Sequence, residues 1–148
     1  MQIRELPTRP PQILSQLVTL WEASVRATHL FLSSEEIDQI KTYVPQALEQ
    51  VAHLVIAEEG DTLLGFMGVE NGRLEMLFLS PDARGKGQGK CLLQYGIQTY
   101  GVRQLTVNEQ NPQAVGFYEH LGFTCYKRTP CDEQGGPYPL LYMKQQAL

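Results

Sequence analysis

The pair Asn71-Gly72, set between two short apolar runs, constrains this fold more than any other stretch. Both residues tolerate the left-handed backbone of a two-residue hairpin turn, so "TLLGFMGVE" and "RLEMLFLS" read as adjacent antiparallel strands. Just upstream, "EEGD" has tight-turn composition and joins "HLVIAEE" to the same meander. Three consecutive antiparallel strands therefore form the centre around which the flanks must be arranged.

The flanks carry a different period. A strand is expected around Ile3, and Pro10-Pro11 can open a helix because proline is tolerated in the first turn. Ile13, Leu14, Leu17, Val18, Trp21 and Val25 recur at helical spacing to about Thr28. Ser33 and Glu36 have capping-box spacing for a second helix, and Pro45 starts a short helical piece leading to Val51. Beyond the meander, Cys91, Leu92, Tyr95 and Ile97 fit a helix that ends before Gly101. "RQLTVNE" is a strand, and Asn111-Pro112 caps a helix running to about Leu121. "FTCYKRT" and "PLLYMKQ" close the chain as two strands around a Pro/Gly-rich loop. The order β-α-α-β-β-β-α-β-α-β-β, with no linker or repeat, makes 1–148 one mixed α/β domain.

Composition narrows the function. With 148 residues and 43% hydrophobic content the chain can bury a substantial core. A net charge of −4 argues against general attraction to nucleic acid or anionic membrane. No apolar run spans a bilayer, and "MQIRELPTRPPQ" lacks a signal peptide's apolar core. Cys91, Cys125 and Cys131 are odd in number and lack C-x-x-C spacing, which suits reduced thiols in a cytoplasmic protein. His29, His53 and His120 are scattered, so no metal site is expected.

Against this acidic background stands "SPDARGKGQGKCLL", three glycines and three cations between a strand and a helix. Backbone N–H groups and the helix dipole converge at such a place, and glycine lets an anionic ligand approach the main chain. Two familiar phosphate loops fail on spacing. A P-loop needs four residues between its first glycine and Gly-Lys, then Ser or Thr; here Gly85 and Gly89 enclose three, and Cys91 follows. A dinucleotide fingerprint needs G-x-G-x-x-G, whereas Gly85, Gly87 and Gly89 alternate after a meander strand.

Arg84, Gly87 and Gly89 do meet Q/R-x-x-G-x-G/A, the pyrophosphate loop of the GNAT superfamily of N-acetyltransferases. "LFLSPDARGKGQGKCLL" resembles that family's strand, proline, loop and helix, and "VNEQNPQAVGFYEHLGF" resembles its second region. The resemblance is specific from about Leu74 to Phe123. It implies a central, mixed but mostly antiparallel sheet of six or seven strands with about four flanking helices and a splayed central strand pair. It further implies transfer of an acetyl group from acetyl-coenzyme A to a primary amine of a small molecule or peptide. A non-catalytic acyl-coenzyme A sensor on the same fold, or transfer of a longer acyl group, stays open at this level, as does monomer against homodimer.

By the same resemblance, the pyrophosphate would lie on the main chain of Arg84, Gly85, Lys86, Gly87, Gln88, Gly89 and Lys90. The pantetheine arm would run along "MLFLS", pairing near Leu77, Phe78 and Leu79, on a strand that carries a bulge and diverges from "LTVNE". A backbone N–H near Leu77 would polarise the thioester carbonyl. Asn111 would cap the next helix or bond the arm, with Asn108 a second candidate for the same duty, beside Ala114 and Phe117. Tyr118 would protonate the departing thiolate. It also shares a helical stripe with Ala114, Phe117 and Leu121, as a core tyrosine would.

The acceptor side is less defined. Glu75 stands two residues before Leu77, so simple alternation puts both on one side, and it could take the acceptor's proton or be a surface carboxylate. His29 lies between the first two helices, near where family members bind the acceptor; the plainer reading of a lone histidine there is structural. Trp21, Phe31 and Tyr138 are candidates for the pocket lining or the core.

Overall fold

The computed structural model describes residues 1–145. Its strands are β1 (Gln2–Glu5), β2 (His53–Glu59), β3 (Thr62–Glu70), β4 (Arg73–Leu79), β5 (Gln104–Asn108), β6 (Phe123–Thr129) and β7 (Leu140–Gln145). The helices are α1 (Pro11–Thr28), α2 (Ser34–Lys41), α3 (Val44–Gln50), α4 (Gln88–Tyr100) and α5 (Pro112–His120). Local chemistry accounts for most boundaries. Ser33 and Glu36 form both bonds of a capping box at α2, and the Asn111 side chain accepts from Ala114 N–H at α5. Asn71 (φ 50°) and Gly72 (φ 75°) both adopt the left-handed conformation between β3 and β4, as the hairpin reading requires. Helix α4 begins at Gln88, a turn earlier than its apolar residues indicate, because left-handed Gly87 supplies its N-terminal cap.

All seven strands form one sheet in the order β1-β2-β3-β4-β5-β7-β6. Every neighbouring pair is antiparallel except β4 and β5. Helices α1, α2 and α3 cover one face, burying Leu17, Trp21, Ile37, Leu48 and Phe66; α4 and α5 cover the other, burying Met67, Leu92, Leu93, Tyr118 and Phe123. Adjacent Phe66 and Met67 thus feed opposite cores, as strand alternation dictates. No helix among the described residues is long and apolar enough to cross a membrane.

Two irregularities shape the centre of the sheet. Parallel β4 and β5 pair only at Arg73–Gln104 and Leu74–Leu105 and then separate. In the β3–β4 ladder, Gly68 faces Met76 while Val69 faces Leu74, so Glu75 is the extra residue of a bulge. Strict alternation therefore does not carry across Glu75, and spacing alone does not align it with Leu77 as expected. Leu74 and Leu77, three apart, pack in the same core instead.

Candidate active site

The gap between β4 and β5 is the floor of a cleft. Ser80 N–H donates to Leu64 O on β3. Because main-chain groups alternate along a strand, Leu77 and Leu79 turn theirs toward the β5 side. No strand among the described residues pairs with them there. An unpaired ladder edge inside a cleft is a ready partner for an extended, amide-bearing ligand.

Two cavities, of about 430 and 210 Å³, meet in this gap. The larger runs from Ser24, Thr28 and His29 on the α1 side past Leu77–Leu79 to Arg84, Gly85, Gly87, Gly89 and Lys90, with Asn111, Gln113, Ala114, Phe117 and Tyr118 opposite. The smaller lies between diverging strands, walled by Leu74–Phe78, Thr106, Val107, Asn108 and Leu140. His29, Leu77, Phe78, Asn111, Ala114 and Tyr118 belong to both and define the junction.

The loop end of the cleft has the chemistry of an anion cradle. Helix α4 has no side-chain N-cap, unlike α2 and α5, so its first N–H groups have no capping partner from a side chain. Gly85 and Gly87 hold φ of 78° and 85°, conformations that a side chain would strain. At Gly89 an added Cβ would stand 3.2 Å from Leu79 Cδ1 and 3.5 Å from the Phe117 ring, so the cradle's depth depends on its absence. The Arg84 guanidinium donates to Gln113 Oε1 at 2.9 Å, spanning from loop to α5. These features fit a pyrophosphate. Gly89→Val should therefore weaken coenzyme A binding by at least ~10-fold, the equivalent of losing one charge-assisted hydrogen bond, in a calorimetric titration; unchanged affinity would place the pyrophosphate elsewhere.

At the junction, Tyr118 is buried on α5 at 9% exposure. Its hydroxyl makes no side-chain hydrogen bond among the described residues, and desolvation holds its pKa well above that of an ordinary phenol. The lone buried side-chain oxygen or nitrogen without a partner among those residues is Gln88 Oε1, so the Tyr118 hydroxyl, also unpartnered, opens into the cleft. His29, whose pKa burial lowers, lines the same junction as part of an aromatic run. Its ring lies 5.4 Å from Phe31 and 6.5 Å from Phe78, and Phe31 lies 5.7 Å from Tyr138. Phe31, beside His29, and Tyr138, beside Phe31, thus extend this run and do not themselves line either cavity.

Glu75 lines the smaller cavity, half-exposed, 3.5 Å from Arg73. Burial raises its pKa, with Arg73 opposing and Glu133 and Glu70 adding to the rise. Asn108 lines the same cavity. Three expected residues stand elsewhere. Trp21 is in the α1 core, on the same helical face as Leu14, Leu17 and Val25. Lys86 is exposed between two left-handed glycines, and Gln88 lines neither cavity. Conversely, Ser24, Thr28 and Gln113 line the larger cavity without having been anticipated. The four-residue spacing of Ser24 and Thr28, beside His29 on an otherwise apolar stripe, was the available signal.

The profile of the acetyltransferase (GNAT) domain matches residues 26–138, about three quarters of the chain and all of the cleft lining except Ser24 and Leu140. This chain belongs to the GNAT acetyltransferase family. Membership makes it an acyltransferase with acetyl-coenzyme A as donor. The peptidyl-lysine N-acetyltransferase YjaB of Escherichia coli is 40% identical over 126 residues, 85% of this chain and 86% of that protein. The peptidyl-lysine N-acetyltransferase YiaC of the same organism is 32% identical over 111 residues, 74% and 76% of the two chains. The solution structure of apo-form YjaB superposes with a TM-score of 0.87 at 35% identity, covering 99% of this acetyltransferase and 98% of that chain.

Proposed function

We propose that this acetyltransferase transfers the acetyl group of acetyl-coenzyme A to the side-chain amine of lysine in a peptide or protein. The observation that carries the reading is the junction: an unpaired β4 edge, an unpartnered Tyr118 hydroxyl and a second cavity leading away meet at one place. The acyl donor supplies an activated carbonyl bound to a good leaving group. Arg84, Lys90 and the first amides of α4 hold its pyrophosphate, and Leu77 and Leu79 fix its arm through main-chain bonds. Leu77 N–H polarises the carbonyl oxygen, and Tyr118 Oη donates its proton to the departing sulfur. The smaller cavity receives the amine on its flexible stem. Glu75 in its wall suits an acceptor that arrives as an ammonium. The relatives named for peptidyl-lysine acetylation support lysine over other amines. Three exposed thiols suit the reducing cytoplasm.

The test is incubation with acetyl-coenzyme A and a panel of lysine peptides, free polyamines and aminoglycosides, read by thioester consumption and mass spectrometry. Acetylation of internal lysine is expected. Turnover confined to the small amines would overturn the acceptor assignment.

A further inference from the structure

We propose that His29 is the base of the reaction: its Nε2 takes the proton of the acceptor ammonium, held in the required tautomer by Thr28. This rests on the cleft being an amine acetyltransferase site. An ammonium has no lone pair and must lose a proton before it attacks, so some group at the junction must accept it.

His29 stands where that group must stand. It follows the last turn of α1 and lines both cavities, together with Leu77 and Tyr118. Its Nδ1 lies 2.8 Å from Thr28 Oγ1, and Thr28 Oγ1 in turn donates to Ser24 O at 2.8 Å. A hydroxyl has a single proton. With that proton given to Ser24 O, the Thr28 oxygen accepts from Nδ1, so Nδ1 carries the ring hydrogen and Nε2 the lone pair. Nε2 has no partner among the described residues and, like the Tyr118 hydroxyl, is not a buried orphan, so it opens into the cavity. Ser24 is 4% exposed, the lone buried polar residue among those described, and its carbonyl anchors the chain of bonds to the helix.

The ionisable groups around it leave this role open. Arg84, Lys90 and Tyr118 share its larger cavity, and Glu75 and Tyr118 its smaller one. None makes a hydrogen bond or ion pair with His29. On α1 itself, Arg26 and Glu22 engage each other, Asp38 of α2 and Lys41. Glu75, the alternative acceptor of the proton, is half-exposed, pairs with Arg73 and reaches one cavity. Burial alone shifts His29, downward, so the ring is neutral and ready at neutral pH.

The proton balance is closed. The ammonium gives one proton to Nε2 and the resulting amine attacks; the C–N bond forms and the C–S bond breaks. The nitrogen's second proton replaces the one that Tyr118 gives the thiolate, and the imidazolium releases its own to solvent.

Two measurements decide it. The first is nitrogen-15 NMR of the histidine-labelled protein without any ligand, His29 being assigned by its loss in His29→Gln. Protonated Nδ1 with bare Nε2 is expected, lost in Thr28→Val and kept in Thr28→Ser; an Nε2–H ring in the unaltered protein overturns the proposal. The second is the pH profile of kcat/KM for a lysine peptide. The unaltered enzyme should be flat through neutral pH and fall only below the ordinary imidazole range. His29→Gln should be slower by ~10²–10⁴-fold at neutral pH, and rise steadily toward the lysine's own pKa of about 10.4. Superimposable profiles overturn the proposal alone. Absence of turnover of lysine peptides by the unaltered protein overturns the lysine-acceptor reading, and the ligand-free tautomer of His29 then decides this proposal. Should His29→Gln fail to fold, the tautomer of the unaltered protein decides.

Discussion

Tyr118→Phe is expected to lower turnover by ~10²–10⁴-fold, the usual worth of a positioned proton donor, with little change in coenzyme A affinity. The substitution removes one oxygen and no packing surface. The ring sits among Phe117 and Phe123, at centroid distances of 5.2 and 6.2 Å in edge-on contact, and phenylalanine keeps both contacts. The hydroxyl has no partner in the described protein to leave stranded, so stability should be nearly unaffected. Its raised pKa keeps it protonated throughout the working range, available to the sulfur each time the thioester breaks. Stopped-flow or steady-state rates on the best lysine peptide, with calorimetric binding of coenzyme A, separate the chemical step from binding. Unchanged turnover would remove Tyr118 from the chemistry and leave it a core tyrosine.

Phe66→Ala should be the most damaging change to the scaffold, costing about 3–5 kcal/mol as full-size aromatic deletions in cores do. Phe66 is 0% exposed on β3, directly across from Phe78 of β4 with ring centroids 5.6 Å apart. Its loss leaves a cavity under α1 that the rigid sheet cannot close. At about 2–4 °C per kcal/mol for a domain of this size, the thermal midpoint should drop by roughly 10 °C. Phe78 also walls both cavities and faces His29, so the same change should disturb the acceptor side before the pyrophosphate loop. Calorimetric unfolding measures the first effect. A loss below about 1 kcal/mol would mean that the α1 core closes around the gap.

Much of this was legible in the residues because the signals are local. Asn71-Gly72, the Ser33–Glu36 box and the Asn111 cap act within four residues, and each gave a turn or helix end where the structure has it. The glycine loop was legible for the same reason: its alternation and the helix after it are contiguous. The separation of β4 and β5 is a different matter. It depends on lateral pairing between segments some thirty residues apart and on the Glu75 bulge, whose only trace is a register shift against β3. Here the family resemblance, not periodicity, anticipated both. Trp21 illustrates the limit of reading aromatics by type. Its helical stripe with Leu14, Leu17 and Val25 already placed it in the core, and the packing follows the stripe. His29 shows the opposite case. Nothing in "ATHLFLS" distinguishes a structural histidine from a base; the distinction lies in the Thr28 and Ser24 hydrogen bonds, which exist only once α1 is folded.

The central claim is that acetyl-coenzyme A lies along the β4 edge with its pyrophosphate at the start of α4. Amide chemical-shift mapping during titration with coenzyme A tests this most directly. The largest changes should fall on Leu77, Leu79 and the amides from Gly85 to Lys90, with smaller ones at Asn111 and Ala114. Changes confined to other surfaces, with the Leu77, Leu79 and loop amides unmoved, would contradict the account.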